Sequence, residues 1–167
     1  MGDLKQLITN VPDFPRPGIL FRDISPLLRK HFGTTIEALD ALLTEAEWGD
    51  IDALAGIESR GFILGAALAA RRRKGFVLVR KQGKLPPPVV DVAYDLEYGK
   101  GILEMQRGSG RVLLVDDVLA TGGTMTASAE LCVRAGYEVR ALASLIDLKI
   151  IPDYRWHDLP VRSCVDY

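Results

Sequence analysis

The stretch Val112-Leu113-Leu114-Val115-Asp116-Asp117-Val118-Leu119-Ala120-Thr121-Gly122-Gly123-Thr124 leaves little freedom in the choice of fold. An apolar run with the length and β-branched content of a buried parallel strand meets two adjacent carboxylates and then a turn of small residues. An amphipathic helix follows, from about Thr124 to Arg134, and stops at Gly136. A strand apolar on both faces needs helices on both sides, so the run predicts an α/β sheet. In such sheets ligands sit beyond the carboxyl ends of the strands. A Gly-rich turn that opens a helix presents free backbone N–H groups and the positive end of the helix dipole, so the predicted guest is a phosphate. Two glycines together at a helix start are costly unless something must approach closely. A P-loop is excluded because no lysine follows the glycine pair, and a Rossmann fingerprint is absent.

The remainder of the chain supplies the partners of that strand. Asp3 to Thr9 predicts a short helix with Asp3 as N-cap, and Val11 to Gly18, rich in proline, an extended connection. Ile19 to Ile24 reads as a minor strand. Ile36, Leu39, Leu42 and Leu43 fall at helical spacing, predicting one amphipathic helix over Thr34 to Glu47. Asp52 to Ile57 is an apolar strand ending in Glu58-Ser59-Arg60-Gly61. The helix after it, Phe62 to Arg73, is expected to turn Phe62, Ile63, Ala66, Ala67 and Ala70 toward the sheet, with Arg71, Arg72 and Arg73 as a solvated end. Phe76 to Val79 predicts another buried strand, followed by the cations of Arg80-Lys81-Gln82-Gly83-Lys84. Val89 to Gln106 alternates in part and suggests an exposed hairpin, long enough to act as a lid. Glu138 to Asp147 and Val161 to Val165 complete the strands, and Trp156 and His157 read as packing residues.

The expected fold is a mostly parallel central sheet with helices on both faces, the hairpin and the N-terminal segment being additions. Its 167 residues suffice for one domain with a sizeable core. The 21 basic and 22 acidic side chains nearly cancel, which gives no reason to expect nucleic-acid or anionic-membrane binding, so any anion site must be local. Cys132 and Cys164 have neither metal-ligand spacing nor a disulfide framework and read as free thiols in a reducing compartment. No apolar run approaches membrane-spanning length and no signal peptide is evident, so a cytoplasmic location is expected.

Three strand ends carry polar clusters: Glu58 to Gly61, Arg80 to Lys84, and Asp116 to Thr124. In a parallel sheet they share one edge, where two cationic loops would face a carboxylate pair and a phosphate cradle. More than one phosphate group is implied. Adjacent carboxylates suit vicinal hydroxyls or Mg²⁺, an ion commonly bound together with substrate phosphates. A sugar with a phosphate at one end and a diphosphate at the other satisfies all three clusters.

The Val112 to Thr124 stretch resembles the phosphoribosyl-diphosphate-binding signature of type I phosphoribosyltransferases. Within them, Phe14-Pro15 to Gly18, Phe21-Arg22-Asp23-Ile24-Ser25-Pro26, Ser59-Arg60-Gly61-Phe62, Arg80-Lys81 with Gly83-Lys84-Leu85-Pro86, and Tyr94 with Leu96-Glu97-Tyr98-Gly99 resemble the adenine phosphoribosyltransferases. The matches run from residue 13 to about 148 in family order. The resemblance implies that Asp116 and Asp117 hold the ribose hydroxyls and that Ala120, Thr121, Gly122, Gly123 and Thr124 bind the 5′-phosphate. It places Ser59 and Arg60 in the diphosphate loop and Arg80, Lys81 and Lys84 near the diphosphate, some of them across a homodimer interface. Phe21 would stack on adenine, Leu20 and Arg22 would line its edge, and Leu148 would close the other side. Mg²⁺ is implied, held mainly through substrate diphosphate and water.

Relatives that act on hypoxanthine and guanine carry an Asp where this chain has Ala120, so the resemblance shifts the proton-handling role to Glu97 on the hairpin. The implied reaction is transfer of the 5-phosphoribosyl group from phosphoribosyl diphosphate to adenine, giving AMP and diphosphate. The whole chain, 1–167, would be one domain, with a hood over about 1–30 and a lid over about 85–107. The connection Arg107-Gly108-Ser109-Gly110 is shorter than the family's, so a different lid hinge is expected, and the chain beyond Leu148 matches little. Two other readings stay open: a regulator of this fold that binds the ligand without chemistry, and a transferase for another purine. The first would need a nucleic-acid-binding segment or a basic face, and Glu97 argues against it. The second is opposed by Ala120 and by the segment from Phe21 to Pro26.

Overall fold

A computed structural model describes residues 3–96 and 99–167. The chain begins with a 3-10 turn, Leu4–Leu7, whose N-cap Asp3 accepts a hydrogen bond from the Lys5 amide at 3.0 Å. Strands β1 (Thr9–Pro12) and β2 (Leu20–Asp23) then pair antiparallel as a separate ribbon. Part of the stretch expected to be a plain connection is therefore paired, Val11 lying opposite Phe21. Pro12 tolerates this position because a two-stranded ribbon leaves an unpaired side for the residue without an N–H.

The single helix expected over 34–47 is two. After α1 (Ser25–Lys30), α2 (Phe32–Asp40) ends early and α3 (Glu45–Gly49) starts afresh. The cause is a capping box. Thr44 Oγ1 accepts from the Glu47 amide at 3.3 Å while Glu47 Oε2 accepts from the Thr44 amide at 2.8 Å, which satisfies N-terminal donors and restarts the helix. Leu39 and Leu43 both stay buried despite the break.

Next come β3 (Ala53–Ile57), α4 (Arg60–Arg72) and β4 (Gly75–Lys81). The face that α4 buries differs from the one expected. Gly61, Leu64, Gly65, Leu68 and Ala69 are buried, whereas Ile63 is 44% exposed. A Cβ on Gly65 would lie 2.9 Å from the Phe76 ring, and one on Gly56 of β3 would lie 2.6 Å from it. The helix thus approaches the sheet along a glycine track filled by Phe76, and a reading based on apolar side chains cannot see glycines as contact residues. In β4 only Val79 is fully buried, and Leu78 is exposed, so the strand is less enclosed than its composition suggests. Arg72 is no solvated end either. Its guanidinium contacts Asp40 at 2.5 and 2.9 Å and Glu45 at 2.8 Å, and sits 4.8 Å above the Trp48 ring, tying α4 to the helices before it.

The hairpin forms as expected from β5 (Val89–Asp95) and β6 (Lys100–Gln106). Its root is not exposed. β6 pairs with β4, and Val92, Leu103 and Met105 are buried in a core cluster with the helix α5 (Gly123–Ala135). The short connection out of β6 is held tightly, with the Gly108 amide donating to Ala135 O at 3.0 Å and no room for a side chain against Tyr137. The long central strand β7 (Gly110–Leu119), then α5, β8 (Tyr137–Asp147), β9 (Arg155–Trp156) and β10 (Leu159–Asp166) complete the chain.

The large sheet has the order β5-β6-β4-β3-β7-β8-β10-β9 and is parallel from β4 through β10. Leu113, Val115, Ala143 and Leu145 face one core cluster with α2 and α4, while Leu114, Val112 and Leu142 face the other with α5. The central strands are thus buried on both faces, as their unbroken apolar runs predict. Trp156 packs against the second cluster, but His157 is exposed, with its ring edge-on to Trp156. Among the described residues no helix is long and apolar enough to cross a membrane.

Candidate active site

Register brings the three polar clusters together. Ile57 pairs with Val79 and Gly56 with Val115, so the residues after them, Glu58 to Arg60, Arg80 to Lys84 and Asp116-Asp117, emerge along one edge of the sheet. The two aspartates lie inside β7 and not in the turn after it. Asp116 pairs with Ser144, and the ladder continues through Leu119 opposite Asp147. Both aspartates are buried, each 8% exposed. Asp116 Oδ1 accepts from the Asp117 amide at 2.8 Å. A Cβ on Gly61 would come within 3.2 Å of Asp116 Oδ1, so that glycine lets the start of α4 close over the pair.

Arg60 supplies the pair's countercharge, with Nη2 2.6 Å from Asp117 Oδ2. The two atoms meet as an ion pair without the alignment of a hydrogen bond, leaving that buried oxygen short of a donor. Burial, reinforced by the neighbouring Asp117 charge, holds the Asp116 carboxyl well above the usual range. A group that donates hydroxyls to these oxygens would relieve both features.

Beyond β7 the chain turns through Ala120 and Thr121 into α5. Gly122 is the helix N-cap at φ +84°, with no side chain capping the first turn and no acidic residue within it. The first N–H groups of α5 are therefore open to an anion. They border a cleft of about 80 Å³ formed by Asp116, Val118 and the run from Leu119 to Met125. The two glycines differ in what they are needed for. A Cβ on Gly122 would fall 2.2 Å from the Tyr154 ring, whereas one on Gly123 would meet nothing nearer than 3.9 Å, where Asp95 O of β5 approaches. Inside the protein only Gly122 is sterically required.

Tyr154 was not legible as a site residue. Its hydroxyl lies 2.6 Å from Thr126 Oγ1 and 3.4 Å from Gly122 O, so it backs the cradle from the chain's unmatched C-terminal part. Nothing local in the sequence signals this, because the contact spans 28 residues or more.

The N-terminal ribbon closes the other side. The Phe21 ring stands edge-on to Phe14 at 5.1 Å, and the Arg60 guanidinium lies 4.9 Å from the Phe21 centroid. Val11, Phe14, Phe21, Asp23, Ser25 and Arg60 line an open cavity of about 380 Å³. Alternation along β2 turns the neighbours of Phe21 away from it. Leu20 is exposed, and the Arg22 guanidinium stacks 3.7 Å over the Tyr167 ring and bonds Asn10, so that it is the Arg22 carbonyl, not the side chain, that meets Arg60, at 3.4 Å. Leu148 is half-buried beside the cradle, its amide donating to Leu119 O at 3.0 Å.

Ser59 is exposed at the N-cap of α4. Arg80 is turned back into the protein, with Nε 2.8 Å from Glu58 Oε1, while Lys81 and Lys84 are exposed on the turn that follows. Glu97 lies outside the described residues; before it in the chain, the Asp95 carbonyl stands 3.9 Å from where a Cβ on Gly123 would lie.

The edge thus carries a buried carboxylate pair beside an uncapped helix start, with cations on the adjoining strand ends. Residues 32–156 match the phosphoribosyl transferase domain family. The chain belongs to the phosphoribosyltransferases. It is 51% identical to the adenine phosphoribosyltransferase of Hydrogenovibrio crunogenus, over 98% of this chain and 96% of that one. It is 50% identical to that of Bdellovibrio bacteriovorus over 99% of each. Among solved structures, the adenine phosphoribosyltransferase of Thermoanaerobacter pseudethanolicus superposes with a TM-score of 0.89 at 40% identity, over 98% of this chain and 97% of that one. The Saccharomyces cerevisiae enzyme, in complex with adenine and an imino-altritol bisphosphate, gives 0.88 at 35% identity over 96% of each.

Proposed function

We propose that this phosphoribosyltransferase serves purine salvage, transferring the 5-phosphoribosyl group of phosphoribosyl diphosphate to adenine to give AMP and diphosphate. The observation that carries the reading is the junction of Asp116-Asp117 with the uncapped start of α5, because it offers acceptors for sugar hydroxyls and donors for a phosphate side by side. The relatives named adenine phosphoribosyltransferase, aligned along nearly the whole chain, supply the base.

In this reading Asp116 and Asp117 accept the ribose hydroxyls, and the segment Ala120 to Thr124 holds the 5′-phosphate. Ser59, Arg60, Arg80, Lys81 and Lys84 serve the diphosphate. Charge accumulates on that group as the C1–O bond breaks, and fixed cations stabilise it without rearranging. Phe21 offers adenine a stacking surface, worth on the order of 1–3 kcal/mol per base, with Leu20 and Leu148 at its margins and Arg22 contributing through its backbone. Glu97 takes up the purine proton, since Ala120 brings no carboxylate to the turn. Residues 1–30 act as hood and 85–107 as lid. Because the hairpin's root is buried in the sheet, its covering action falls to the end around Asp95 and Gly99. Covering the site keeps water from an electron-poor ribose carbon.

Among the described residues no group of three or more His, Cys, Asp or Glu side chains is placed to hold a metal. Among the described residues, the strand ends of this edge bring the carboxylates of Asp116, of Asp117, paired with Arg60, and of Glu58, paired with Arg80. This donor set fits Mg²⁺ held chiefly by substrate diphosphate and water. When bound, the ion would neutralise charge on the departing group. A homodimer belongs to the same proposal, for which exposed Ile63 on α4 and Leu78 on β4 supply apolar surface. A cytoplasmic location agrees with two free thiols.

The test is product detection with phosphoribosyl diphosphate, Mg²⁺ and each purine in turn. AMP from adenine is expected. Its absence refutes the reading, and tight binding of phosphoribosyl diphosphate with no base consumed would establish a regulator instead.

A further inference from the structure

Behind the cation-bearing turn lies a carboxylate that none of the roles above uses. Glu104, on β6, is 3% exposed and pairs in register with Arg80 of β4. Its Oε1 accepts from the amides of Lys84 at 2.8 Å and Leu85 at 2.7 Å, and its Oε2 from the amide of Gly83 at 3.1 Å. Gly83 adopts φ +82°, which lets three successive N–H groups converge. Such a convergence is an anion nest, and here the protein's own carboxylate fills it. The nest is therefore closed to the substrate.

The geometry points to Glu104 as a positioning residue for the diphosphate-binding cations, fixing the 83–85 turn so that Lys81, Lys84 and Arg80 present a set arrangement before the ligand arrives. Two further ties support the same turn: the Gln82 amide donates to Ile102 O at 3.0 Å, and Arg80 Nη1 to Lys84 O at 3.4 Å. Burial alone would push the Glu104 carboxyl up, but the three amides and the nearby Arg80 bring it below its ordinary value, so it remains an acceptor. Only a carboxylate can serve. A glutamine offers one acceptor oxygen to three donors and turns an NH₂ group against the remainder. Because β6 is the returning strand of the hairpin, the anchor also makes the turn and the hairpin root one body.

The assignment rests on the diphosphate role proposed for these cations, and the experiment separates the two. Wild type and Glu104→Gln are titrated calorimetrically with Mg-diphosphate and, separately, with ribose 5-phosphate, alongside AMP formation. The variant is expected to weaken diphosphate by about tenfold, the scale of a lost charge-assisted contact, and to leave ribose 5-phosphate within about twofold. In turnover, KM for phosphoribosyl diphosphate rises while KM for adenine holds. Equal weakening of both ligands would make Glu104 a merely structural residue and overturn the assignment, as would unchanged diphosphate binding. If the variant does not fold, amide exchange in the wild type decides: slow exchange at Gly83, Lys84 and Leu85 supports the anchor, and unprotected exchange refutes it. Diphosphate binding that Glu104→Gln weakens, in a protein that makes no AMP, would sink the proposed reaction and leave the anchor standing.

Discussion

Replacing Gly122 by alanine isolates the steric basis of the turn that opens α5, the cradle proposed for the 5′-phosphate. At φ +84° an alanine incurs the left-handed penalty of about 1–2 kcal/mol. Its Cβ would also stand 2.2 Å from the Tyr154 ring, an overpacking on the scale of about 1–3 kcal/mol. The two effects sum to roughly 2–5 kcal/mol. The loss appears as a lower Tm if the turn keeps its shape, or as weaker ribose 5-phosphate binding if the turn relaxes. Calorimetric unfolding and ligand titration together capture both. Tyr154→Ala alone removes the contact with Thr126 and leaves a cavity, so it too is destabilising. In the double variant the collision is gone and only the dihedral penalty remains. The combined loss should then fall short of the sum of the single losses by about 1–3 kcal/mol. Strict additivity would refute the steric argument. Gly123→Ala provides the contrast: its Cβ has no close neighbour, so stability should hold within about 0.5 kcal/mol while anion affinity drops.

Three more outcomes are expected. Asp116→Asn should raise Tm, since the folded-state carboxyl is held above its unfolded value and its ionisation opposes folding as pH rises past that unfolded value; the same change should weaken phosphoribosyl diphosphate binding, and a lowered Tm would contradict the burial argument. Glu97→Gln should reduce turnover far more than it weakens phosphoribosyl diphosphate binding, and single-turnover rates equal to wild type would remove Glu97 from the reaction. Glu47, depressed to about 2 by hydrogen bonds from Arg162 and Thr44, contributes stability that is present above its ordinary value of 4.5 and lost as pH falls toward 2; Glu47→Gln should flatten that limb of a Tm-against-pH curve, and a curve unchanged in shape would rule the residue out.

Much of the candidate site is legible because it is sequential. The strand, carboxylates, turn and helix from Val112 to Thr124 are contiguous, and each part has a distinct physical signature. That parallel strand ends share an edge is a consequence of topology, so the placement of Arg60, Asp117 and Arg80 to Lys84 along one edge follows from the sequence pattern. Where the structure departs from the sequence pattern, the causes are equally specific. The buried face of α4 departs from its apolar pattern because glycines make its closest approach, and the helix breaks after Asp40 because a capping box outcompetes an apolar periodicity.

The amino-acid sequence alone determined the fold class and which strand ends carry polar clusters, and it pointed to a phosphorylated sugar as ligand, because periodicity, turn residues and charge are local properties. Only the tertiary structure decided which residues stand behind the site. Tyr154 against Gly122, Glu104 in the nest of residues 83–85, and Arg22 turned to Tyr167 are contacts between distant segments, set by strand register and side-chain direction. No pattern along the chain encodes them.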